Sequence, residues 1–422
     1  MNNNDIEKQK KVFEIAKNAV ISSRKLREIK TEQKIKALNK IADKLEEKAE
    51  DIMFRNEIDV EAAKEDNLSR ALIDRLVLNE KRLKSMTDGI REVSNLEDPV
   101  GKILEEWTRP NGLKIRKVRV PLGVITMVYE SRPNVTGDAA CLCLMSSNAV
   151  ILRGGSEALN SNLAVGHYIR EALKDTEIPL DSVQVIDDTD REVVKYLVSL
   201  KGMVDVVIPR GSQNMIETIT KMSSIPVIGH GKGLCHIYVD KDADVKKASD
   251  IAFNAKVQRP GVCNAVETLV VHSDIASDFL SDICERLSKA GVELRGDERA
   301  RKHWGMKEAT DEDWETEYLD LILSIRVVDS LDEGINHIQK YSSAHSDCIV
   351  TEDESACQKF LNNIDSGCVY CNASTRFTDG NQMGLGAEIG ISNQKLHARG
   401  PMGLKELTTY KYQILGDGQI RE

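Results

Sequence analysis

Cys263 combines the residue type and the surroundings that a reactive thiol needs. It lies in RPGVCNAVETLVV, where Pro260 and Gly261 predict a turn after a helix and before a buried strand. The thiol is therefore expected at an edge of a sheet where strands end, the region in which open α/β folds bind ligands. The charge of Arg259 favours the thiolate form of such a thiol. The alternative is a structural cysteine, because free cysteine is often buried and packs as a small hydrophobic residue.

Four other cysteines form closely spaced pairs. Cys141 and Cys143 lie in the apolar helical segment GDAACLCLMSS, and Cys368 and Cys371 lie in the strand-like segment GCVYCNAS. Structural zinc sites take four ligands held on loops, whereas both pairs lie in segments of core composition. The sequence therefore favours core packing for these thiols, and we expect no metal site.

Two turns have the composition of phosphate-binding loops. They are Arg153-Gly154-Gly155-Ser156, after the predicted strand AVIL, and Pro209-Arg210-Gly211-Ser212, after VDVVI. In each turn the backbone amides and the serine at a helix start could bind a phosphate, although an ordinary strand-to-helix turn has the same composition. Two such turns on one edge of one sheet favour a phosphate-bearing cofactor.

The standard nucleotide-binding fingerprints are absent. A P-loop over residues 226–233 would need glycine in place of Pro226 and serine or threonine in place of Gly233. The glycine-rich segments 229–233 and 384–390 also lack the dinucleotide spacing. A dinucleotide would therefore bind without a glycine fingerprint.

A long polar segment near the C-terminus offers further candidates. The sequence NASTRFTDGNQMGLGAEIGISNQKLHARGPMGL is too long and too varied for a linker, and long ordered loops usually carry function. Arg376, His397 and Arg399 within it are candidate anion-binding residues. The alternative for each of them is an ordinary exposed basic side chain.

The composition argues against several classes of protein. The 422 residues carry a formal charge of −10, which disfavours binding to a nucleic-acid backbone. The longest apolar stretch, residues 139–145, is far shorter than the roughly 20 residues that span a bilayer, and the polar start MNNNDIEKQKK is no signal peptide. Nine cysteines without a framework spacing fit reduced thiols. We therefore expect a cytoplasmic protein with no nucleic-acid or membrane partner.

Hydrophobic periodicity predicts the elements that position these residues. Charged amphipathic helices are predicted over residues 5–93. In the middle of the chain helices alternate with the apolar segments VITMVY, AVILR, DSVQVID, VDVVIP and IPVIG, a pattern typical of a doubly wound parallel sheet. The alternation resumes with LCHIYVD, so a second α/β domain is expected from near residue 240.

Two further strands are predicted outside this pattern. Residues 113–120 alternate apolar and basic side chains, and residues 407–415 have a similar pattern. Because both are remote from the main alternation, we expect them to form an extension that pairs with another subunit. The sequence thus predicts a homo-oligomer.

Six segments resemble the gamma-glutamyl phosphate reductase family, and they occur in that family's order. They are VPLGVITMVYESRPNV, ILRGGSEA, VIPRGS, GHGKGLCHIYVD, RPGVCNAVETL and AEIGISNQKLHARGPMGLKELTTYKY. The family belongs to the aldehyde dehydrogenase superfamily. The resemblance therefore implies an aldehyde dehydrogenase-like α/β fold with a doubly wound cofactor domain, a second α/β catalytic domain and a small β oligomerisation extension. The implied bounds are 1–112 and 130–240 for NADPH binding, 241–375 for catalysis, and 113–129 and 395–422 for oligomerisation.

The resemblance also implies an activity. Members of the family are cytoplasmic homo-oligomeric enzymes of proline biosynthesis. They use NADPH to convert L-glutamyl 5-phosphate to L-glutamate 5-semialdehyde and phosphate. A functional association with glutamate 5-kinase is implied as well.

The matched motifs suggest a role for each site residue. Cys263 occupies the position of the nucleophile, and Asn134 stands near that of the superfamily's oxyanion-stabilising asparagine. The resemblance implies that residues 153–156 lie along the adenosine ribose, that residues 209–212 face the pyrophosphate, and that Glu317 binds the nicotinamide ribose. The candidate substrate-binding residues are Arg132, Arg376, His397 and Arg399.

One position departs from the superfamily. Counted back without gaps from Asp242-Ala243-Asp244, His230 stands where hydrolytic aldehyde dehydrogenases have the glutamate that activates water. A thioester on Cys263 would then persist until another nucleophile, such as phosphate, attacks it, although His230 could itself act as a base. The alternatives are a hydrolytic aldehyde dehydrogenase and a non-catalytic member of the fold.

Overall fold

The chain folds into two compact units. The computed structural model describes residues 3–229 and 231–421. The described part of unit 1 consists of residues 3–229, 385–390 and 402–421, and that of unit 2 consists of residues 231–384 and 391–401.

Thirteen α-helices lie in the described ranges. In unit 1 they are α1 (Asn3–Leu26), α2 (Thr31–Glu47), α3 (Ala49–Glu65), α4 (Arg70–Leu76), α5 (Glu80–Asn95), α6 (Asn134–Met145), α7 (Leu159–Leu173), α8 (Arg191–Ser199) and α9 (Gln213–Met222). In unit 2 they are α10 (Val245–Val257), α11 (Ser273–Lys289), α12 (Leu331–Tyr341) and α13 (Glu354–Asn363). The predicted apolar faces of the first two helices are buried at Val12, Ala16, Leu38 and Leu45. None of the described helices is both long and apolar enough to cross a membrane.

Sixteen strands lie in the same ranges. In unit 1 they are β1 (Ile103–Thr108), β2 (Lys114–Pro121), β3 (Val124–Tyr129), β4 (Ala149–Gly154), β5 (Val183–Val185), β6 (Val206–Arg210) and β16 (Thr408–Leu415). In unit 2 they are β7 (Cys235–Val239), β8 (Val266–His272), β9 (Glu293–Gly296), β10 (Lys307–Glu308), β11 (Ile322–Val328), β12 (Ser346–Val350), β13 (Cys368–Cys371), β14 (Ile391–Ser392) and β15 (Gly400–Pro401).

Unit 1 is built on a parallel sheet with the strand order β5-β4-β3-β6. This order confirms the predicted doubly wound sheet. From β3 the chain proceeds to β4 and β5 on one side and then returns to β6 on the other, so the topological switch point lies between β3 and β6. The turns that follow β3, β4 and β6 therefore meet at the carboxyl-end edge of the sheet.

The prediction of a fifth strand at IPVIG is wrong. Val227 forms an isolated bridge to Val207 and is not part of a strand. Pro226 has no N–H to donate to a neighbouring strand, which explains why the pairing does not extend.

A three-stranded antiparallel sheet, here named the extension, has the strand order β1-β2-β16. The strands predicted over 113–120 and 407–415 are present as β2 and β16, and β1 was missed because ILEEWT does not alternate. The structure differs from the bounds predicted for the extension, since β1 lies within the residues 1–112 that were assigned to cofactor binding. Residues 124–129 form β3 of the parallel sheet, and residues 395–401 lie in unit 2.

Unit 2 contains a parallel sheet with the strand order β10-β9-β11-β8-β7-β12-β13, which agrees with the predicted second α/β domain. Helices α10 and α11 pack on one face, around Phe279, and helices α12 and α13 pack on the other, around Phe360. Strand β8 is buried along its whole length at the centre of the sheet. Since β7 begins at Cys235 within this sheet, the boundary lies before that residue rather than near 240.

Candidate active site

Cys263 lies half-buried in the loop between α10 and β8. It is at the amino end of a central strand, whereas open parallel sheets usually bind ligands outside their carboxyl ends. The sequence predicted the thiol directly before a buried strand, as found, but the expectation of a ligand-binding edge there rested on the rule for carboxyl ends. The loops before β7, β12 and β13 lie at the same edge, because these strands run parallel to β8. Residues in those loops are therefore the ones placed to act on the thiol.

The other paired cysteines differ from Cys263. Cys141 and Cys143 are fully buried on α6, and burial raises the pKa of both thiols. Cys368 and Cys371 lie three positions apart on β13, so their side chains leave opposite faces of the strand. Among the residues that the structure describes, no three histidine, cysteine or acidic side chains form a group that could hold a metal ion.

Gly233 packs directly against the backbone of residues 258–265, here named the nucleophile loop because the sequence predicts Cys263 as a nucleophile. A Cβ atom at this position would lie 2.5 Å from the Cys263 Cα and 2.6 Å from the Cys263 Cβ, and it would also collide with the carbonyl oxygen of the same residue. Only glycine therefore fits here without displacing Cys263. The Cys235 thiol donates a hydrogen bond of 3.2 Å to the same Cys263 carbonyl oxygen.

Asn264 ties the loop to the segment after β13. Its side-chain nitrogen Nδ2 donates to the Thr378 carbonyl oxygen at 2.8 Å. Its backbone carbonyl oxygen accepts from the Thr375 hydroxyl at 2.7 Å. The Asn264 side-chain oxygen accepts from Arg376 Nη1, while Arg376 Nε donates to Gln258 Oε1 at 2.8 Å. These bonds place the Arg376 guanidinium beside the nucleophile loop. Burial, and then the charge of Arg259, lowers the pKa of Arg376.

A buried polar network connects the Cys235 side chain to Thr378, which bonds to Asn264. His345 Nδ1 lies 3.8 Å from the Cys235 sulfur and 2.9 Å from the Ser346 hydroxyl. Ser346 bonds to the Thr378 hydroxyl at 2.6 Å, and Tyr370 bonds to the same hydroxyl at 2.7 Å. The network links the starts of β7 and β12 to the segment that carries Arg376, and it therefore makes the loop rigid.

His397 and Arg399 lie in the loop of the β14–β15 hairpin. The hairpin packs against Gly367, where an added Cβ would lie 3.3 Å from the Ser392 carbonyl oxygen. It is thus at the same amino-end edge as Cys263. His397 is exposed, whereas Arg399 Nη1 bonds to Asp365 Oδ1 at 2.7 Å. The Arg399 guanidinium thus already pairs with a carboxylate, which weakens its case as a substrate-binding group relative to Arg376.

An open cleft of about 370 Å³ lies at this edge of unit 2. Its lining includes Lys232, Glu315, Lys340, Tyr341 and Asn393. The lining also contains Leu234, which directly follows the glycine that packs against Cys263. The cleft therefore reaches the segment that packs against the nucleophile loop, although its lining residues, among those the structure describes, lie outside that loop.

The turn at residues 209–212 binds the carboxylate of Glu130, and its role as a phosphate-binding turn stays a prediction. Ser212 caps α9, and its backbone N–H donates to Glu130 Oε2 at 2.7 Å. The Ser212 hydroxyl donates to Glu130 Oε1 at 3.2 Å. Glu130 follows β3, so this contact bridges the topological switch point. A phosphate at this turn would take over donors that the carboxylate now uses.

The turn at residues 153–156 differs from the prediction. Ser156 begins a short 3₁₀ helix and its side chain does not cap it. Arg153 lies within β4, nearly buried, and its Nη2 donates to the Thr189 carbonyl oxygen at 2.5 Å. Its Nε is buried without a hydrogen-bond partner, which is unfavourable unless a ligand supplies an acceptor. Burial lowers the pKa of Arg153.

Asn134 and Arg132 lie in unit 1, next to the turn after β3. Asn134 begins α6 and is exposed, and its amide donates to Asp138 Oδ2 at 2.9 Å. Burial raises the pKa of Asp138 to about 6. Arg132 is half-buried and follows Ser131, which adopts a left-handed φ of 41°. Glu317 lies in unit 2 before β11, where its charge acts on Glu267 of β8. His230 lies outside the described residues.

Sequence reasoning missed three residues that build these sites. Gly233 was considered only as part of a nucleotide fingerprint, Asn264 was seen only as the neighbour of the cysteine, and Glu130 was not considered. The pattern GVCNA contains the signal for Asn264, since a polar side chain at the entry to a buried strand needs partners.

Comparison with known proteins agrees with the fold. The model of the aldehyde dehydrogenase family matches residues 3–302. The chain is 56% identical to gamma-glutamyl phosphate reductase of Caldanaerobacter subterraneus over 96% of this chain and 99% of that protein. The crystal structure of gamma-glutamyl phosphate reductase from Thermotoga maritima has a TM-score of 0.95 and 51% identity, covering 97% of this chain and 100% of that one.

More distant structures share the fold alone. An engineered glycolyl-CoA reductase with bound NADP⁺ has a TM-score of 0.70 at 13% identity, covering 96% of each chain. The family model covers well over half of the chain, and the similarity to the reductases extends along nearly all of it. The chain belongs to the aldehyde dehydrogenase family, and within it to the gamma-glutamyl phosphate reductases.

Proposed function

We propose that this protein reduces L-glutamyl 5-phosphate with NADPH to L-glutamate 5-semialdehyde and phosphate, a step of proline biosynthesis, through a thioester on Cys263. Full-length similarity to reductases of that name supports the substrate. The single observation that carries the mechanism is the setting of Cys263. It is a half-buried thiol in a loop fixed by Gly233 and Asn264, with the Arg376 guanidinium beside it.

In the first step the Cys263 thiolate attacks the carbonyl carbon of the acyl phosphate. A carbon–sulfur bond forms, the carbon–oxygen bond to phosphate breaks, and phosphate leaves with the electron pair. Arg376 would attract the phosphoryl group and hold it by charge-assisted hydrogen bonds. Backbone N–H groups of the loop, with Asn134 as a further candidate, would stabilise the oxyanion.

In the second step the thioester is reduced. NADPH, when bound, supplies a hydride to the thioester carbonyl carbon. The resulting thiohemiacetal on Cys263 then collapses, the carbon–sulfur bond breaks, and the aldehyde and the thiolate are released. The loop contacts of Gly233 and Asn264 keep the sulfur in one position through both steps.

The residues of unit 1 fit a phosphate-bearing cofactor. The Ser212 N–H at the start of α9 already binds carboxylate oxygens, so its chemistry suits a pyrophosphate. The buried Arg153 Nε without a partner suits an additional phosphate, such as the 2′-phosphate of NADPH. Glu317 is proposed to hold the nicotinamide ribose. These assignments favour NADPH over NADH.

The proposed product is an aldehyde rather than an acid. The position at which hydrolytic relatives have a water-activating glutamate is His230 in this sequence, so water is a poor acceptor for the thioester. Hydrolysis to a carboxylic acid is the alternative activity. The retained thiol and both turns disfavour a non-catalytic role.

The extension is proposed to pair with a second copy of the chain and so form a homo-oligomer. Its outer strands are exposed, and they present Ile103, Trp107, Tyr412 and Ile414 to solvent. Exposed apolar side chains on edge strands favour association. Gel filtration that gave only the monomer mass would reject this proposal.

The proposed substrate is an acyl phosphate, so a kinase that phosphorylates glutamate must act before this enzyme. An acyl phosphate hydrolyses readily, so a functional association with glutamate 5-kinase would deliver it efficiently. The reaction, and nine cysteines without a disulfide-framework spacing, are consistent with a cytoplasmic location.

The proposed function is tested in the reverse direction. The purified chain is mixed with glutamate semialdehyde, NADP⁺ and phosphate, and NADPH formation is followed by absorbance. The expected result is sustained NADPH formation that the Cys263→Ala variant lacks. Absence of NADPH with the wild-type chain would contradict the proposal.

A further inference from the structure

A buried ion pair spans the nucleophile loop. Lys256, in the last turn of α10, and Glu267, in β8, lie on either side of Cys263 in the chain. Their Nζ and Oε2 atoms are 2.6 Å apart, and both side chains are 0% exposed. Burial of two charges requires desolvation that the pairing offsets only in part, and a hydrophobic pair often stabilises a fold as well. Stability alone therefore does not explain these residues.

The second oxygen of Glu267 reaches a third segment. Glu267 Oε1 accepts a hydrogen bond of 3.2 Å from the backbone N–H of Leu319. Leu319 has a left-handed φ of 54° and is 40% exposed, a conformation that is strained for a bulky residue and has no core burial to offset it. The hydrogen bond that the Leu319 N–H donates to Glu267 therefore stabilises this turn.

Tyr318 fixes the same segment from its other side. The Lys256 ammonium lies 6.0 Å from the centre of the Tyr318 ring. The Tyr318 hydroxyl bonds to Asp313 Oδ1 and to Ser324 Oγ, both at 2.7 Å. Glu317 directly precedes this tyrosine, so its backbone is anchored through residues that contact the ion pair.

The electrostatics agree with this close packing. The pKa of Glu267 is raised to about 7, chiefly by burial and also by the charge of Glu317, while Lys256 opposes both effects. Burial lowers the pKa of Lys256. The charge of each group favours the charged form of the other, so the two side chains are electrostatically coupled.

We infer that Lys256 and Glu267 are positioning residues that set the distance between the Cys263 loop and the Glu317 segment. This inference rests on the proposed function, in which Glu317 holds the nicotinamide ribose. The pair would then govern hydride transfer to the thioester and not the reactivity of the thiol. The hydrogen bond that the Leu319 N–H donates to Glu267 is the contact through which the pair positions the Glu317 segment.

Two double variants isolate that hydrogen bond. Removal of one charge alone would leave the other buried and unpaired and could prevent folding, so both charges are removed together. Lys256→Met with Glu267→Gln keeps an oxygen that can accept from Leu319. Lys256→Met with Glu267→Leu does not. The two proteins differ only at the acceptor.

Three measurements are made on each protein. They are the KM for NADPH, the rate of hydride transfer in a single turnover, and the rate of Cys263 alkylation by iodoacetamide, located by peptide mass. For the leucine variant we expect hydride transfer to slow about tenfold and the KM to rise about as much, which corresponds to one buried hydrogen bond. Its alkylation rate should match the wild type, and the glutamine variant should restore hydride transfer and KM.

The outcomes separate the inference from the proposed function. Equal hydride-transfer rates in the two double variants, or alkylation that falls in parallel with turnover, would overturn the inference alone. A wild-type chain that does not oxidise the semialdehyde with NADP⁺ would overturn the proposed function and the inference with it.

Discussion

The Gly233→Ala substitution tests whether Cys263 is held by its backbone neighbours. The added Cβ would lie 2.5 Å from the Cys263 Cα, and contacts under 3.0 Å are not tolerated, so the loop must move by about 0.5 to 1 Å. A misplacement of ~1 Å lowers a rate by about a hundredfold, and we therefore expect kcat to fall roughly 10- to 100-fold. Overpacking should also lower the free energy of unfolding by about 1–3 kcal/mol.

The assay combines kcat, the Cys263 alkylation rate and urea unfolding. Gly305→Ala is the matched control, because Gly305 is exposed in the same unit and an added Cβ would meet no atom within 4 Å. The control should keep all three values near those of the wild type. A Gly233→Ala protein with unchanged kcat and an unchanged alkylation rate would refute the idea that this glycine positions the nucleophile.

Four other substitutions have distinct expected results. Cys263→Ala should abolish turnover without loss of NADPH binding or folding, because it removes the proposed nucleophile. Cys141→Ala should keep most activity. Turnover of the Cys263→Ala variant above about a tenth of wild type would contradict the role of Cys263. Arg153→Ala should lower the ratio of kcat/KM for NADPH to that for NADH, and an unchanged ratio would exclude Arg153 as the discriminator. Asp138 has a folded-state pKa raised to about 6 by burial, so the wild type loses stability as the pH rises through about 6. Asp138→Asn removes the titrating group, so the free energy of unfolding of the variant relative to the wild type should be about 1 kcal/mol larger at pH 8 than at pH 5. A difference in Tm between the two proteins that does not change with pH would contradict this expectation.

Local patterns in the sequence were sufficient for the main elements. The alternation of apolar strands with helices identified both parallel sheets, and Pro260 with Gly261 identified the turn that exposes Cys263. The capping role of Ser212 also follows from local chemistry, since serine before a helix binds the first free N–H groups. These features depend on neighbours within a few residues.

Contacts between distant segments were not predictable in the same way. Arg376 reaches the nucleophile loop through Asn264, which is 112 residues away in the chain, and Glu130 binds Ser212 across 82 residues. Neither pairing leaves a spacing signal in one sequence. The unit boundary was placed too late because a buried parallel strand such as β7 has the same apolar pattern in either sheet.

The acyl acceptor tests the thioester account most directly. Glutamate semialdehyde and saturating NADP⁺ are given to the enzyme in a phosphate-free buffer and again with inorganic phosphate, and NADPH formation is followed in both. A thioester on Cys263 that water does not attack predicts sustained NADPH formation only when phosphate is present. Equal sustained rates in the two buffers, with free glutamate as the product, would contradict the account and support the hydrolytic alternative.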